Sequence, residues 1–263
     1  MAKGTGDGYT HGDSKRSEAY CLNNLSSINI ASLQEIGGDL IVDNWYIGDG
    51  DGESCYLIGI SDFTFSNLKT IGGDITYHYN LYDGASSYYE REGYGEIKIA
   101  PCKLQSVRSI NAICSFDSES NGFSSLETVE NLIGNGKGFP YLRKIMGSFT
   151  IEGTDVTEIG SMPYLESIAE TLSINNTKVT KIQSFNKLSN VGTILISQNS
   201  SLATIDGFSL LSQCNSIEIS NSPLLKDFGA FVNAVKNGSS WYVTACGYNP
   251  TKYQMQNGQS NLE

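Results

Sequence analysis

The sequence predicts a mainly β fold, a parallel β-solenoid of about 23-residue turns closed by a C-terminal helix-strand cap, and three observations predict it. Leu142, Leu165, Leu188 and Leu211 advance by 23 residues each time (165−142, 188−165, 211−188). The pairs Phe149/Ile151, Leu172/Ile174, Ile194/Ile196 and Ile217/Ile219 advance with them, and so do Val156/Ile159, Val179/Ile182, Leu202/Ile205 and Leu225/Phe228. Apolar columns that share one period belong to stacked turns, each of which buries its inward residues against its neighbours.

The template reads most plainly as Leu165-x-x-Ile168-x-x-x-Leu172-x-Ile174-x-Asn176. Leu172 and Ile174, two residues apart, point to the same side of a short strand. Gly153, Asn176, Asn199 and Asn221 then stand where the chain must turn a tight corner, through a positive φ or a side-chain bond to the backbone. Stacked asparagines there could also form a ladder along the coil; both readings stay open. Cys214 falls in the column of Ile145, Ile168 and Val191 and is expected to face the core.

The same template opens the chain. Leu33-x-x-Ile36-Gly-Gly-Asp39-Leu40-x-Val42 and Leu68-x-x-Ile71-Gly-Gly-Asp74-Ile75-x-Tyr77 share the segment Ile-Gly-Gly-Asp, 35 residues apart (71−36). The excess follows the strand in each turn, at about residues 44–62 and 78–95. Weaker turns follow near Leu104/Val107 and Leu126/Val129. At the other end Phe228, Phe231, Val232 and Val235 mark one helical face, Gly238 a helix stop, and Trp241–Cys246 a last strand. Such a cap shields core and strand edge at the open end of a coil. The expected division is a polar leader over 1–20, one solenoid domain over 21–258 with its cap from about 228, and a tail over 259–263 whose Leu262-Glu263 reads as a cloning remnant.

Composition narrows the partners. A net charge of −11, from 28 acidic and 17 basic residues, argues against nucleic acid and anionic lipid, both of which need arrays of Lys and Arg. No run approaches the ~18 apolar residues of a membrane helix, so no direct membrane insertion by this segment is expected. The leader lacks a signal-peptide apolar region. Six cysteines (Cys21, Cys55, Cys102, Cys114, Cys214, Cys246) show no zinc spacing.

The spacing L-x-x-I-x-x-x-L-x-I-x-N resembles the receptor L-domain branch of the leucine-rich-repeat-like proteins, and is similar to exported surface proteins of Gram-negative gut bacteria. A standard leucine-rich repeat has one residue, not three, between its second and third apolar positions. The ending Cys246-Gly-Tyr248-Asn249-Pro250-Thr251 fits how such chains close. The resemblance spans residues 22–258. It implies a right-handed coil, a cell-surface or extracellular location with the targeting segment removed, and a binding or adhesion role. It brings no catalytic residues.

Right-handed parallel coils also carry polysaccharide lyases and hydrolases, which makes a carbohydrate-active enzyme the alternative. Such an enzyme needs converging carboxylates, or a carboxylate beside a base, on the outer strand face. The outward position between the inward pair is Ile41, Thr76, Thr150, Ser173, Leu195 and Glu218 in successive turns, with one carboxylate among them. His11 and His78 are the sole histidines and neither sits in a nucleophile motif. Asp49-Gly-Asp51-Gly-Glu53 lacks the further ligands of a calcium loop, and Gly134-Asn-Gly136-Lys-Gly138 lacks a strand-loop-helix setting for phosphate. Both read as loops, and no catalytic residue, metal or cofactor is expected. Asn24, Asn175, Asn199 and Asn237 head glycosylation-acceptor triplets.

The unusual local composition is aromatic. Trp45, Tyr46 and Tyr56 lie in or beside the first insertion, and Tyr77, Tyr79, Tyr82, Tyr88, Tyr89 and Tyr94 in or beside the second. Tyrosine combines a flat apolar face with a polar tip, which suits sugars and protein surfaces. Because equivalent points of successive turns share an edge, a composite site of Trp45, Tyr46, Tyr56, Tyr79, Tyr82, Tyr88, Tyr89 and Tyr94 for a protein or glycan ligand is expected. The same rings could instead cover the coil's flank, and a spacer role for the whole chain is a third reading.

Overall fold

A computed structural model describes residues 27–48, 55–58, 62–83, 98–99, 102–112 and 122–262. The first coil contributes β1 (Ser27–Asn29), β2 (Glu35–Ile36) and β3 (Leu40–Gly48), followed by β4 (Cys55–Ile58); the second β5 (Asp62–Thr64), β6 (Thr70–Ile71) and β7 (Ile75–Asp83). Then come β8 (Lys98–Ile99) and β9 (Ser109–Ala112), β10 (Thr128–Val129) and β11 (Asn131–Ile133), and β12 (Lys144–Ile145) and β13 (Phe149–Glu152). The last coils hold β14 (Ser167–Asn175), β15 (Lys181–Ile182), β16 (Asn190–Ser197), β17 (Thr204–Ile205) and β18 (Gln213–Ser222). A short 3-10 turn (Gly229–Phe231), α1 (Val232–Lys236), β19 (Ser240–Cys246) and α2 (Lys252–Gln256) complete the chain.

A parallel β-solenoid results. Its 12-stranded main sheet runs β19-β18-β16-β14-β13-β11-β9-β7-β3-β4, with β10 and β12 alongside, and every pairing but β3–β4 is parallel. One inward row passes in register through Leu40, Ile75, Ile110, Leu132, Phe149, Leu172, Ile194, Ile217 and Trp241. The irregular turns near Leu104/Val107 and Leu126/Val129 stack with the rest, their apolar residues buried. The shortest step, Leu132 to Phe149, is accommodated by the loop 134–138, where Gly134, Gly136 and Gly138 all have positive φ. A Cβ on Gly136 would lie 2.7 Å from Met162 Cε, so this glycine-rich segment is a packed corner.

Phe139, Met162, Phe185, Phe208 and Phe231 form a further column with the 23-residue spacing, beyond those singled out from the sequence. Each is buried, and Phe185, Phe208 and Phe231 stack at 5.2 and 5.0 Å between centroids. The carbonyl of each of the first four accepts from the N–H of the column Leu three residues on, so one F-x-x-L turn sets both the spine and the next inward row.

Two sequence expectations need correction. The strand pair does not advance uniformly, because Leu172 pairs with Ile194, 22 residues on (194−172), after a register shift between Ile168 and Thr171. Gly192 sits opposite this bulge, and a Cβ there would lie 2.4 Å from Glu170 O and 2.7 Å from Ala169 O. The lost residue moves the corner, so the positive-φ positions are Gly153, Asn176, Gln198 and Asn221. Asn199 stands one place further, fully buried, its Oδ1 accepting from Thr177 N (2.9 Å) and Oγ1 (2.7 Å) while its Nδ2 donates to Ile174 O (2.9 Å). It staples two coils and is no corner residue. Its fully engaged, buried amide also removes it as a glycosylation acceptor in the folded chain.

At the C-terminal end the predicted helical face divides between the 3-10 turn and α1, with Phe228, Phe231 and Val235 buried. Trp241 takes the inward row's last place against Phe228 and Phe231 (5.7 and 6.0 Å), and its Nε1 donates to Pro250 O at 2.8 Å. Helix α2 is an addition to the expected cap. Its sequence signal is the capping box Thr251-x-x-Gln254, and it buries Met255. Residues 259–262 bond back to the coil, with Ser260 O accepting from Phe228 N and Leu262 N donating to Lys226 O.

Candidate binding surface

In the regular coils the strand ends soon after the second inward residue: β13 stops at Glu152 before Gly153, and β14 at Asn175 before Asn176. Strands β3 and β7 do not stop there. Their pairing runs without a break from Leu40↔Ile75 to Gly48↔Asp83, so the segments read as insertions begin as continuations of the sheet. The runs Asn44-Trp-Tyr-Ile47 and Tyr79-Asn-Leu-Tyr82 are rich in residue types that favour pleated strands. Strand β4 folds back antiparallel on β3, with Trp45↔Ile58, Tyr46↔Leu57 and Ile47↔Tyr56. The Asp51-Gly52 step between two β-rich runs is the sequence signal for that hairpin.

The backbone therefore gathers Trp45, Tyr46, Tyr56, Tyr79 and Tyr82 on three neighbouring strands at one edge of the coil, β4 and β7 flanking β3. Asn44 pairs with Tyr79 and Ile47 with Tyr82. Tyr88, Tyr89 and Tyr94 lie outside the described residues, as do His11, the leader 1–20, Asn24, Cys21, Cys114 and the segment Asp49–Glu53.

Just before β3 and β7, the repeated Gly-Gly-Asp segments link three coils. Asp39 Oδ1 accepts from Asp74 N at 2.9 Å, and a Cβ on Gly73 would overlap that carboxylate. Arg108 Nε and Nη2 donate to Asp74 Oδ1 and Oδ2 at 2.8 and 2.7 Å. The guanidinium hydrogen bond holds the Asp74 carboxyl below the usual carboxylate range. The same device recurs further on, where Asn131 Oδ1 accepts from Ser148 N at 2.9 Å in the space left by Gly147. The glycine thus admits the side chain of the coil behind.

No group of His, Cys, Asp and Glu able to hold a metal ion occurs among the described residues. The outward column gains Asn111, Ile133 and Tyr242 to those seen from spacing alone, and Glu218 remains its carboxylate among the described strands. Cys102, Cys214 and Cys246 are free thiols. Cys214 pairs with Val191 and packs against the core, but it is half-buried where Ile145, Ile168 and Val191 of its column are fully buried, and burial pushes its thiol up to about 11. A shallow groove beside it is lined by Asn190, Gly192, Gln213 and Asn237. Among the described residues no helix is long and apolar enough to cross a membrane.

No protein-family model matches the chain, and no curated protein or solved structure matches it either.

Proposed function

We propose that this chain is an exported, cell-surface binding or adhesion module of the receptor L-domain-like type, without catalytic activity, that recognises a protein or glycan through its aromatic-rich edge. The observation that carries the reading is the unbroken β3–β7 register, continued past the point where the regular coils turn and flanked by β4. A sheet extension of this kind holds aromatic residues on paired backbone, which lowers the entropy cost of ordering a binding surface. The fold is equally compatible with a carbohydrate-active enzyme, and activity assays are part of the test.

The experiment is a binding screen of the purified chain against immobilised glycans and surface proteins. Tyr82→Ala, Tyr88→Ala and Tyr89→Ala combined should weaken the captured partner tenfold or more, as truncation of clustered aromatic anchors does. Unchanged affinity with an unchanged melting profile would remove the site. Release of reducing or unsaturated ends from a polysaccharide, abolished by changing one surface carboxylate, would replace the binding reading with the enzyme.

A further inference from the structure

The outer strand face of the regular coils is rich in hydroxyls. The strand stretches 148–152, 171–175, 193–197, 216–220 and 240–244 contain no Lys or Arg, and their outward positions are mostly Ser and Thr. The cations of the same coils, among them Arg143, Lys144, Lys178, Lys181 and Lys187, fall outside these five stretches. Thr150, Ser173 and Thr193 are half-exposed, and their hydroxyls bond to no other described side chain. At the C-terminal end of this face, Leu195, Glu218 and Tyr242 stand in register on adjacent strands. Tyr242 is 63% exposed, and Ser216 Oγ donates to Glu218 Oε1 at 3.2 Å.

We infer that this face, centred on Glu218 and Tyr242, docks a neutral polysaccharide. Each hydroxyl offers one donor and two acceptor lone pairs, which matches a polymer whose own surface is hydroxyls. Glu218 accepts from a pair of adjacent sugar hydroxyls. The Tyr242 ring offers an apolar face to the C–H side of a sugar ring. A polyanion finds no cation on these strands and meets a chain of −11. A protein partner would call for a larger apolar anchor cluster than Leu195 and Tyr242 provide. Rungs about 4.8 Å apart repeat the hydroxyl pattern, so a long polymer engages several at once and affinity rises with its length. This surface is separate from the aromatic edge of β3, β4 and β7 and stands without it.

The test is affinity electrophoresis and calorimetry of the full chain with a mixed-linkage β-glucan, a xylan and a galactomannan, against polygalacturonate as polyanion. At least one neutral polymer should retard the protein, with tighter binding for longer chains. Tyr242→Ala and Glu218→Gln should each weaken it about tenfold, equivalent to ~1.4 kcal/mol. Tyr242→Phe should retain most of the affinity. Ser173→Arg, which places a long side chain in mid-face, should also weaken it, while Tyr253→Ala on α2, 74% exposed, should leave it intact. Absence of binding to all three neutral polymers, equal retention by polygalacturonate, or affinity indifferent to Tyr242→Ala and Glu218→Gln in chains that melt normally would each overturn the inference. Loss of binding only in the Tyr82/Tyr88/Tyr89 variant would overturn it while leaving the proposed aromatic site standing.

Discussion

The coils from Leu142 to Cys246 and the coils before them differ in what lies between strands more than in the strands themselves. In the later region, cross-coil hydrogen bonds join residues 22, 23 or 25 apart. In the earlier region the separation is 35 or 36 residues between the first two coils and 17 where the chain takes its shortest turn. The inward row nevertheless continues through both. Lateral hydrogen bonding and burial fix the register at the strand, while the corners absorb insertions and deletions. The earlier coils spend that freedom on the extension of β3 and β7, and the later coils keep a short corner and a flat outer face.

If burial in the two regions is equivalent, equal truncations should cost the same. Leu172→Ala and Leu68→Ala remove side chains exposed by 0% and 2%, and each should lower stability by about 2–5 kcal/mol in urea titration. A markedly smaller loss at Leu68 would show that the earlier coils are held less firmly.

Glycine substitutions sharpen the contrast within one repeated motif. A Cβ on Gly72 would meet Gly37 O at 2.5 Å, whereas nothing lies within 4 Å of one on Gly37. Gly72→Ala should therefore cost about 1–3 kcal/mol, while Gly37→Ala should stay within about 0.5 kcal/mol of wild type or stabilise slightly. Equal effects would mean that the first two coils do not stack as described.

The smallest effect is titration of Cys214. Burial keeps its thiol protonated in the folded chain up to about 11, against 9.0 for an exposed thiol. Between those values the unfolded chain has lost a proton that the folded chain keeps. Stability from this group is therefore complete below pH 9 and lost as pH rises toward 11. Cys214→Ala should flatten that part of the stability–pH curve, and alkylation of Cys214 at pH 8 should be slow beside a fully exposed thiol.

The regular columns were legible in the sequence because each step reuses one corner length, so Leu, Ile and strand pairs recur at fixed positions. The spine of Phe139, Met162, Phe185, Phe208 and Phe231 was equally legible from its 23-residue step. Asn199 was misplaced because the bulge beside Gly192 removes one residue from the step, and periodicity alone does not mark where. Helix α2 spans a single turn and a fraction, too short for an amphipathic repeat, and only its capping box announces it. At the candidate site, the clustering of Trp45, Tyr46, Tyr79 and Tyr82 and the shared Ile-Gly-Gly-Asp segments pointed to one edge. The continuation of pairing to Gly48↔Asp83 was hidden, since a residue pattern shows strand propensity but not which strand the backbone meets.

Continuity of the stack from the earlier to the later coils is tested most directly by a spin-label distance between positions 41 and 173. Ile41 is 58% exposed, and Ser173 lies in the same outward column with β7, β9, β11 and β13 between their strands. Five rungs of about 4.8 Å, read by pulsed electron paramagnetic resonance with labels attached through non-cysteine chemistry, give an expected distance of about 24 Å in a single narrow distribution. A broad distribution centred beyond about 40 Å would contradict the continuous coil, and with it the placement of the aromatic edge and the hydroxyl face on one scaffold.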